Sequence, residues 1–217
     1  MTYREKRLQI RGNIISAAES YEKHLLGKCF MFVFGNQYIE VLFEKKRFKH
    51  LTGVGSVQKG NSFFRKALSG TLMASQIYFD KEHPYDLAKM KTDMLSELYR
   101  LTNEKIMIGE DVVTVTASYK FGLANHDIQL VLCLGYNKDK NGNLINSFWV
   151  PYSVRIEELS AENQKECDFI FSRPQEQTLY SDITYSAGRE IENLPKVIKS
   201  KIVENLSSST PIVSVKY

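Results

Sequence analysis

From Tyr3 to Leu26 the apolar residues Ile14, Ala18, Tyr21 and Leu25 recur at three- and four-residue spacing with charge between them, the pattern of an amphipathic helix. Gly12 is expected to break or delay its start, and Gly27 to end it, since glycine tolerates the positive φ found just past a helix. Two strand-like runs follow, Lys28 to Phe34 and Tyr38 to Phe43, and Gly35-Asn36-Gln37 between them predicts a hairpin. The chain then enters Glu44 to Gly55, where charge and glycine replace the strand pattern and predict a basic turn. Asn61 or Ser62 is placed to cap a short helix through Leu68 that buries Phe63, Phe64 and Leu68 and stops at Ser69-Gly70. A longer helix is predicted from Pro84 to about Asn103, with Leu87, Met90, Met94, Leu98 and Leu101 as its apolar face.

After Glu104 the period becomes two and β-branched residues dominate, predicting strands at Ile106 to Ile108, Val112 to Tyr119, Ile128 to Tyr136 and Leu144 to Val154. Asn125-His126-Asp127 and the segment from Lys138 to Asn143 read as hairpin turns. Glu157 to Gly188 is polar and aperiodic; Pro195 then opens a last helix with Leu194, Ile198, Ile202 and Leu206 spaced by four, ended by Ser207 to Thr210. Ile212 to Tyr217 alternates weakly, as an edge strand or a frayed tail would. Helices gathered early and strands gathered late describe an α+β fold: N-terminal helices packed on an antiparallel meander sheet, with a C-terminal helical extension. The expected organisation is a domain over residues 1–160 and an extension over 161–217 packed on it.

Composition changes the picture in three ways. With 43% hydrophobic residues and twelve each of Tyr and Phe, the chain can bury a core rather than remain disordered. No apolar run approaches the roughly 18 residues of a membrane helix, and the charged start lacks a signal-peptide pattern, so no membrane partner and a cytoplasmic location are expected. Cys29, Cys133 and Cys167 are widely spaced and read as core or surface thiols, with neither a disulfide framework nor a metal site indicated. Charge changes the picture as well. Residues 1–66 hold 13 Lys/Arg against 5 Asp/Glu, and the rest 16 against 20, so a net charge of +4 conceals a strongly basic first third. That asymmetry fits an anionic partner such as RNA or another nucleic acid, or a solvated basic face.

Phe48-Lys49-His50-Leu51-Thr52-Gly53 is the most unusual segment, setting an imidazole and a hydroxyl among Lys45, Lys46, Arg47 and Lys49, with Lys59, Arg65 and Lys66 just beyond. RNA cleavage without a metal needs a base for the 2′-hydroxyl proton, an acid for the leaving oxygen, and cations or hydroxyls for the charged transition state. His50 has the ordinary pKa range for the proton transfer. The plain structural account of the same residues is that His50 caps a turn and Thr52 bonds its own backbone. Lys120, after Tyr119 near a strand end, would add a further cation. No GxGxxG or GxxxxGK[ST] pattern occurs, and no cofactor is expected.

The segment Phe48 to Val54, followed by Ser62-Phe63-Phe64-Arg65-Lys66-Ala67-Leu68-Ser69-Gly70 and by Phe148-Trp149-Val150-Pro151-Tyr152-Ser153, resembles a phage-type family of the Barnase-EndoU-Colicin-RelE-like nuclease superfamily, over about residues 20–160. The resemblance implies a two-helix start, a meander sheet and a metal-independent RNA-cleaving site. It also implies site residues: His50 and Thr52 in the family's His-Leu-Thr-Gly motif, Ser153 in its late aromatic-Pro-Ser strand, and Arg65 and Lys66 in the matching helix. The expectation is therefore a ribonuclease-like protein of a phage or mobile element. His50, Thr52 and Ser153 would be catalytic, with Lys46, Arg47, Lys49, Lys59, Arg65, Lys66 and Lys120 toward phosphate. The alternative is a non-catalytic inhibitor occupying a nucleic-acid site of a host or defence complex, and a toxin held by an antitoxin is a variant of the first.

Overall fold

The computed structural model describes residues 1–114, 117–159, 163–204 and 206. The expected ending of the last helix at Ser207 to Thr210 and the weak strand at Ile212 to Tyr217 lie outside the described residues. Helix α1, Tyr3–His24, starts at a capping box in which Thr2 and Glu5 bond each other's backbone N–H at 3.2 and 2.7 Å. It buries Ile10, Ile14, Ala17, Ala18 and Tyr21 and runs through Gly12, whose missing side chain would meet only open space. Gly27, at φ 74°, turns the chain into the hairpin of β1, Lys28–Phe34, and β2, Gln37–Leu42.

Where the charge pattern predicts a basic turn, the chain forms helix α2, Lys45–Thr52. Phe48, Leu51 and Thr52 supply a buried side at helical spacing, and Gly53 closes the helix in the left-handed region at φ 71°. Tyr21 of α1 holds this helix: its ring stands 5.2 Å from Phe48 and 5.8 Å from Phe64, and its hydroxyl donates to the Glu44 carbonyl at 3.3 Å. After β3, Gly55–Ser56, helix α3, Gly60–Leu68, packs so closely that a side chain on Gly60 would meet the Lys46 carbonyl. Lys59, rather than Asn61 or Ser62, occupies the N-cap position, and Phe63, Phe64 and Ala67 are buried. Strand β4, Ile77–Tyr78, pairs with β3, and helix α4, Tyr85–Met94, follows Pro84 and tightens into a 3₁₀ helix over Leu95–Thr102. Its buried side is Ala88, Lys91, Thr92, Leu95, Leu98 and Leu101, one position round from the expected face, so that Met90 is 48% exposed.

The meander is β5, Met107–Val113; β6, Ser118–Asn125; β7, Leu130–Lys138; and β8, Leu144–Ile156. The first two boundaries differ from the periodicity, because β5 continues through Asp111, at φ 51°, as far as Val113. The stretch that reads as aperiodic supplies β9, Asn163–Glu166; β10, Phe169–Pro174; and β11, Asp182–Ser186. The sheet order is β11-β10-β1-β2-β8-β7-β6-β5-β9, antiparallel throughout except between β2 and β8. Only two residues separate β9 from β10, yet β9 pairs with β5 and β10 with β1, so the sheet curls until its two ends meet. Inside the curl, strand residues such as Phe30, Phe32, Leu132 and Leu134 share one core with α1 to α4. Two smaller apolar clusters lie on the outer face, one of them closed by Tyr180, Leu194, Ile198 and Ile202. The last helix, α5, is a single turn, Lys196–Lys199, because Ile202 leaves it for a bridge to Tyr180.

All three cysteines are free and buried, and no helix among the described residues is long and apolar enough to cross a membrane. Phe171 lies in β10 and is completely buried. Replacing it by Ala is expected to cost about 3–5 kcal/mol, with the whole chain unfolding in one urea transition because β10 is paired along β1. Two separate transitions would show instead that residues 161–217 form a detachable extension.

Candidate active site

Strands β2 and β8 meet at one registered pair, Val41 and Trp149, and then diverge. The half of β8 beyond that pair has no strand on its β2 side, and α2 and α4 pack along it. Arg47, His50 and Gly53 follow at three-residue intervals and so share one side of α2. At one end the Arg47 guanidinium lies 4.4 Å from the Tyr152 ring centroid; at the other, a side chain on Gly53 would come 2.9 Å from Cδ of Lys91. His50 falls between Arg47 and Gly53 along that side of the helix. The motif glycine therefore meets two demands, a left-handed cap and room for the lysine stem.

Lys91 is 7% exposed, and among the described residues its ammonium has no hydrogen-bond or ion-pair partner. Burial, then the charge of Arg155, push its pKa down to about 8, against weaker opposing effects of Cys133 and Glu157. Cys133 on β7 pairs across the ladder with Ser153 on β8, so both side chains lie on the outer face of the sheet. Ser153 is 8% exposed, and its hydroxyl approaches only the Val154 carbonyl, at 3.5 Å. Arg155, two residues on, donates to Thr114 Oγ1 at 3.1 Å. More than a third of His50 remains exposed, yet partial desolvation, then Arg47, Lys49 and His83, lower its pKa below the usual 6.5. The imidazole is thus held toward its neutral form, while Lys91 keeps its charge below about pH 8. Two groups with opposite protonation at one pH are what acid–base chemistry requires.

The other expected site residues divide. Thr52 is fully buried and its hydroxyl donates to the Lys49 carbonyl at 2.6 Å, so it secures the end of α2 rather than facing outward. Lys49 also turns inward, donating to the carbonyls of Ser56 and Gln58 at 2.8 and 3.1 Å. Lys46 pairs with Glu44 at 3.0 Å and, with Lys45 and Asn61, lines a cleft of about 490 Å³ at the end of α1. Lys59 and Arg65 are exposed and Lys66 half-exposed on α3, and no contact joins them to His50 or Ser153. Lys120 lies at the far end of β6, ion-paired with Asp111 at 2.9 Å. Lys91 and Arg155 escape a reading of motifs. The available signal is positional: Lys91 falls on the apolar stripe Ala88, Thr92, Leu95, where a lysine is out of place.

A lysine whose folded pKa lies near 8 against 10.5 unfolded burdens the fold at every pH where both states carry the proton. Between pH 8 and 10.5 the unfolded chain binds the extra proton, so stability rises with pH across that window and levels off above it. Lys91→Met is expected to stabilise the protein by about 3 kcal/mol at pH 7 and to flatten this rise, as read by urea unfolding at several pH values.

No curated protein and no solved structure matches the chain significantly. A family model does, over residues 13–188, a stretch that takes in the curled sheet through β11 as well as the motif on α2 and so extends beyond residues 20–160. With α2, α4 and β8 all inside that stretch, the chain belongs to the phage-Barnase-EndoU-ColicinE5/D-RelE like nuclease4 family.

Proposed function

We propose that this protein is a metal-independent endoribonuclease of a phage or mobile element that cleaves RNA by attack of the 2′-hydroxyl on the adjacent phosphorus. The observation that carries the reading is Lys91, 7% exposed and without a hydrogen-bond or ion-pair partner among the described residues, beside Arg155 and against Gly53, the residue that closes the helix carrying His50. Such a lysine lowers stability, and proteins keep destabilising groups where function needs them. A nuclease of this family binds nucleic acid, and a phosphodiester lodged here would supply the missing counter-charge.

In the proposed reaction His50 takes the proton from the 2′-oxygen as that oxygen bonds phosphorus. The bond from phosphorus to the 5′-oxygen then breaks, and Lys91 gives its proton to the departing 5′-oxygen, leaving a 2′,3′-cyclic phosphate and a 5′-hydroxyl. Arg47 and Arg155 hold the charge that builds on the non-bridging oxygens. Ser153 would approach the same phosphate from β8, and Thr52 fixes the end of the helix that carries His50. Lys46, Lys49, Lys59, Arg65, Lys66 and Lys120 contribute longer-range attraction for the polyanion, with strong salt dependence. Action in the cytoplasm, and control by an antitoxin or by a host or defence complex, would follow from such an activity.

Purified protein incubated with total RNA in EDTA is expected to cleave it, and His50→Ala and Lys91→Met to lose at least 10²-fold in rate. The rate should rise as His50 loses its proton below pH 6.5 and fall as Lys91 loses its own near pH 8. Lys91→Arg should remove the alkaline fall. Intact RNA with the unmodified protein, together with salt-sensitive binding, would favour a non-catalytic inhibitor of a nucleic-acid site.

A further inference from the structure

A row of aromatic rings from β1, β6, β8 and β7 leads from the inner core of the sheet out to a surface mouth at Tyr136. Phe34, 2% exposed, forms its floor; Phe121 lies 6.4 Å from it, Trp149 4.9 Å edge-on to Phe121, and Tyr136 4.3 Å from Trp149 at an inclination of 32°. Burial falls along this row until Tyr136, which is 49% exposed. Three lysines surround the rings. Lys138 Nζ stands 5.7 Å from the Tyr136 centroid and, among the described residues, has no ion-pair partner; Lys165 Nζ stands 5.5 Å from Phe34; Lys120 lies beside them on β6. The local carboxylates are Glu110 and Asp111, tied to Lys165 and Lys120 at 3.2 and 2.9 Å, and Asp139, whose carboxylate is spent on the backbone N–H groups of Asn141 and Asn143.

We infer that this mouth is a stacking subsite for an unpaired base of a single-stranded nucleic acid, a reading that rests on the nuclease function proposed above. A base is flat, apolar on its faces and followed by a phosphate, which is the chemistry that a graded row of rings with a lysine rim recognises. A duplex keeps its base faces stacked on each other and has none to offer Tyr136. Strand β8 connects the two regions: Trp149 lies in the mouth and Ser153 at the proposed cleavage site, about 13 Å apart along an extended strand. A single strand held at both places would be drawn past the break between β2 and β8.

The chain contains one tryptophan, so its emission reports this subsite without background. The probe is a short 2′-O-methyl single-stranded oligonucleotide, which cannot be cleaved by 2′-hydroxyl attack. Saturable quenching of Trp149 emission is expected, with an affinity weakened roughly tenfold or more by Tyr136→Ala and also weakened by Lys138→Glu, while Tyr136→Phe leaves the quenching in place. Equal quenching by a duplex of the same sequence, or none by either, would overturn the subsite. So would a change in Trp149 emission on dilution accompanied by dimer dissociation, since the neighbouring exposed Leu144 and Ile145 would then be covering the mouth with a second copy. Cleavage without quenching removes the subsite and leaves the nuclease, whereas quenching without cleavage removes the nuclease and leaves the binding site.

Discussion

The divergence of β2 from β8 after a single registered pair governs the rest of the molecule. Continuous pairing would have sealed the edge of β8 with backbone hydrogen bonds. The divergence instead leaves that edge to two helices, and side chains rather than carbonyls meet it. Arg47 reaches Tyr152 and Lys91 comes within range of Cys133 and Arg155 only because no strand intervenes. The opening is held from a distance: β10 fastens β1 on its far side, and Tyr21 pins the start of α2 through three aromatic contacts. Parallel pairing at this one place follows from topology, since β2 and β8 are joined by a long crossover that contains three helices.

How much of this is legible in the sequence depends on how local its cause is. The first hairpin is legible because Gly35 and the apolar alternation around it act within a few residues. The turns at His126 and Asn141 are legible for the same reason. Helix α2 is not, since its evidence is divided: five of its eight residues are cationic or imidazole, and only Phe48 and Leu51 mark an apolar side. Its helicity comes from the tertiary docking of those two rings and chains against Tyr21 and Phe64, an interaction between distant parts of the chain. Strand β10 is missed differently. The run Phe169-Ile170-Phe171 is strand-like, but it is short and set in polar surroundings, and its value lies in pairing with β1 some 140 residues earlier.

The site divides along the same line. His50 is visible because a histidine among cations is unusual, and Ser153 through the resemblance alone. Lys91 is invisible as a motif because one lysine in an amphipathic helix is ordinary, and its meaning emerges only when the helix phase is known. The face built on Met90 and Met94 would leave Lys91 in solvent; the observed face turns it inward. A phase error of one residue therefore conceals the most perturbed lysine of the described residues. Thr52 shows the converse, a motif residue whose position is explained by the helix end it closes.

Lost water and neighbouring cations act together on both protonation states at the site. Arg47, Lys49 and His83 act against a proton on His50, and Arg155 acts against one on Lys91, so each group is held below its ordinary pKa by its neighbours as well as by lost water. A bound phosphodiester reverses the electrostatic part of this, because one negative charge placed among them favours the protonated form of both. The direction matters for mechanism. In the proposed reaction His50 would become a better proton acceptor as the substrate arrives, and Lys91 would be more firmly protonated before acting as the acid. The energy that the free protein loses by burying the unpaired Lys91 would be recovered when the proposed anion enters, and recovered further as negative charge grows on the phosphorane oxygens. A site that is strained when empty and neutralised in the transition state is thus consistent with the fold retaining Lys91 at a position where an apolar residue would be more stable.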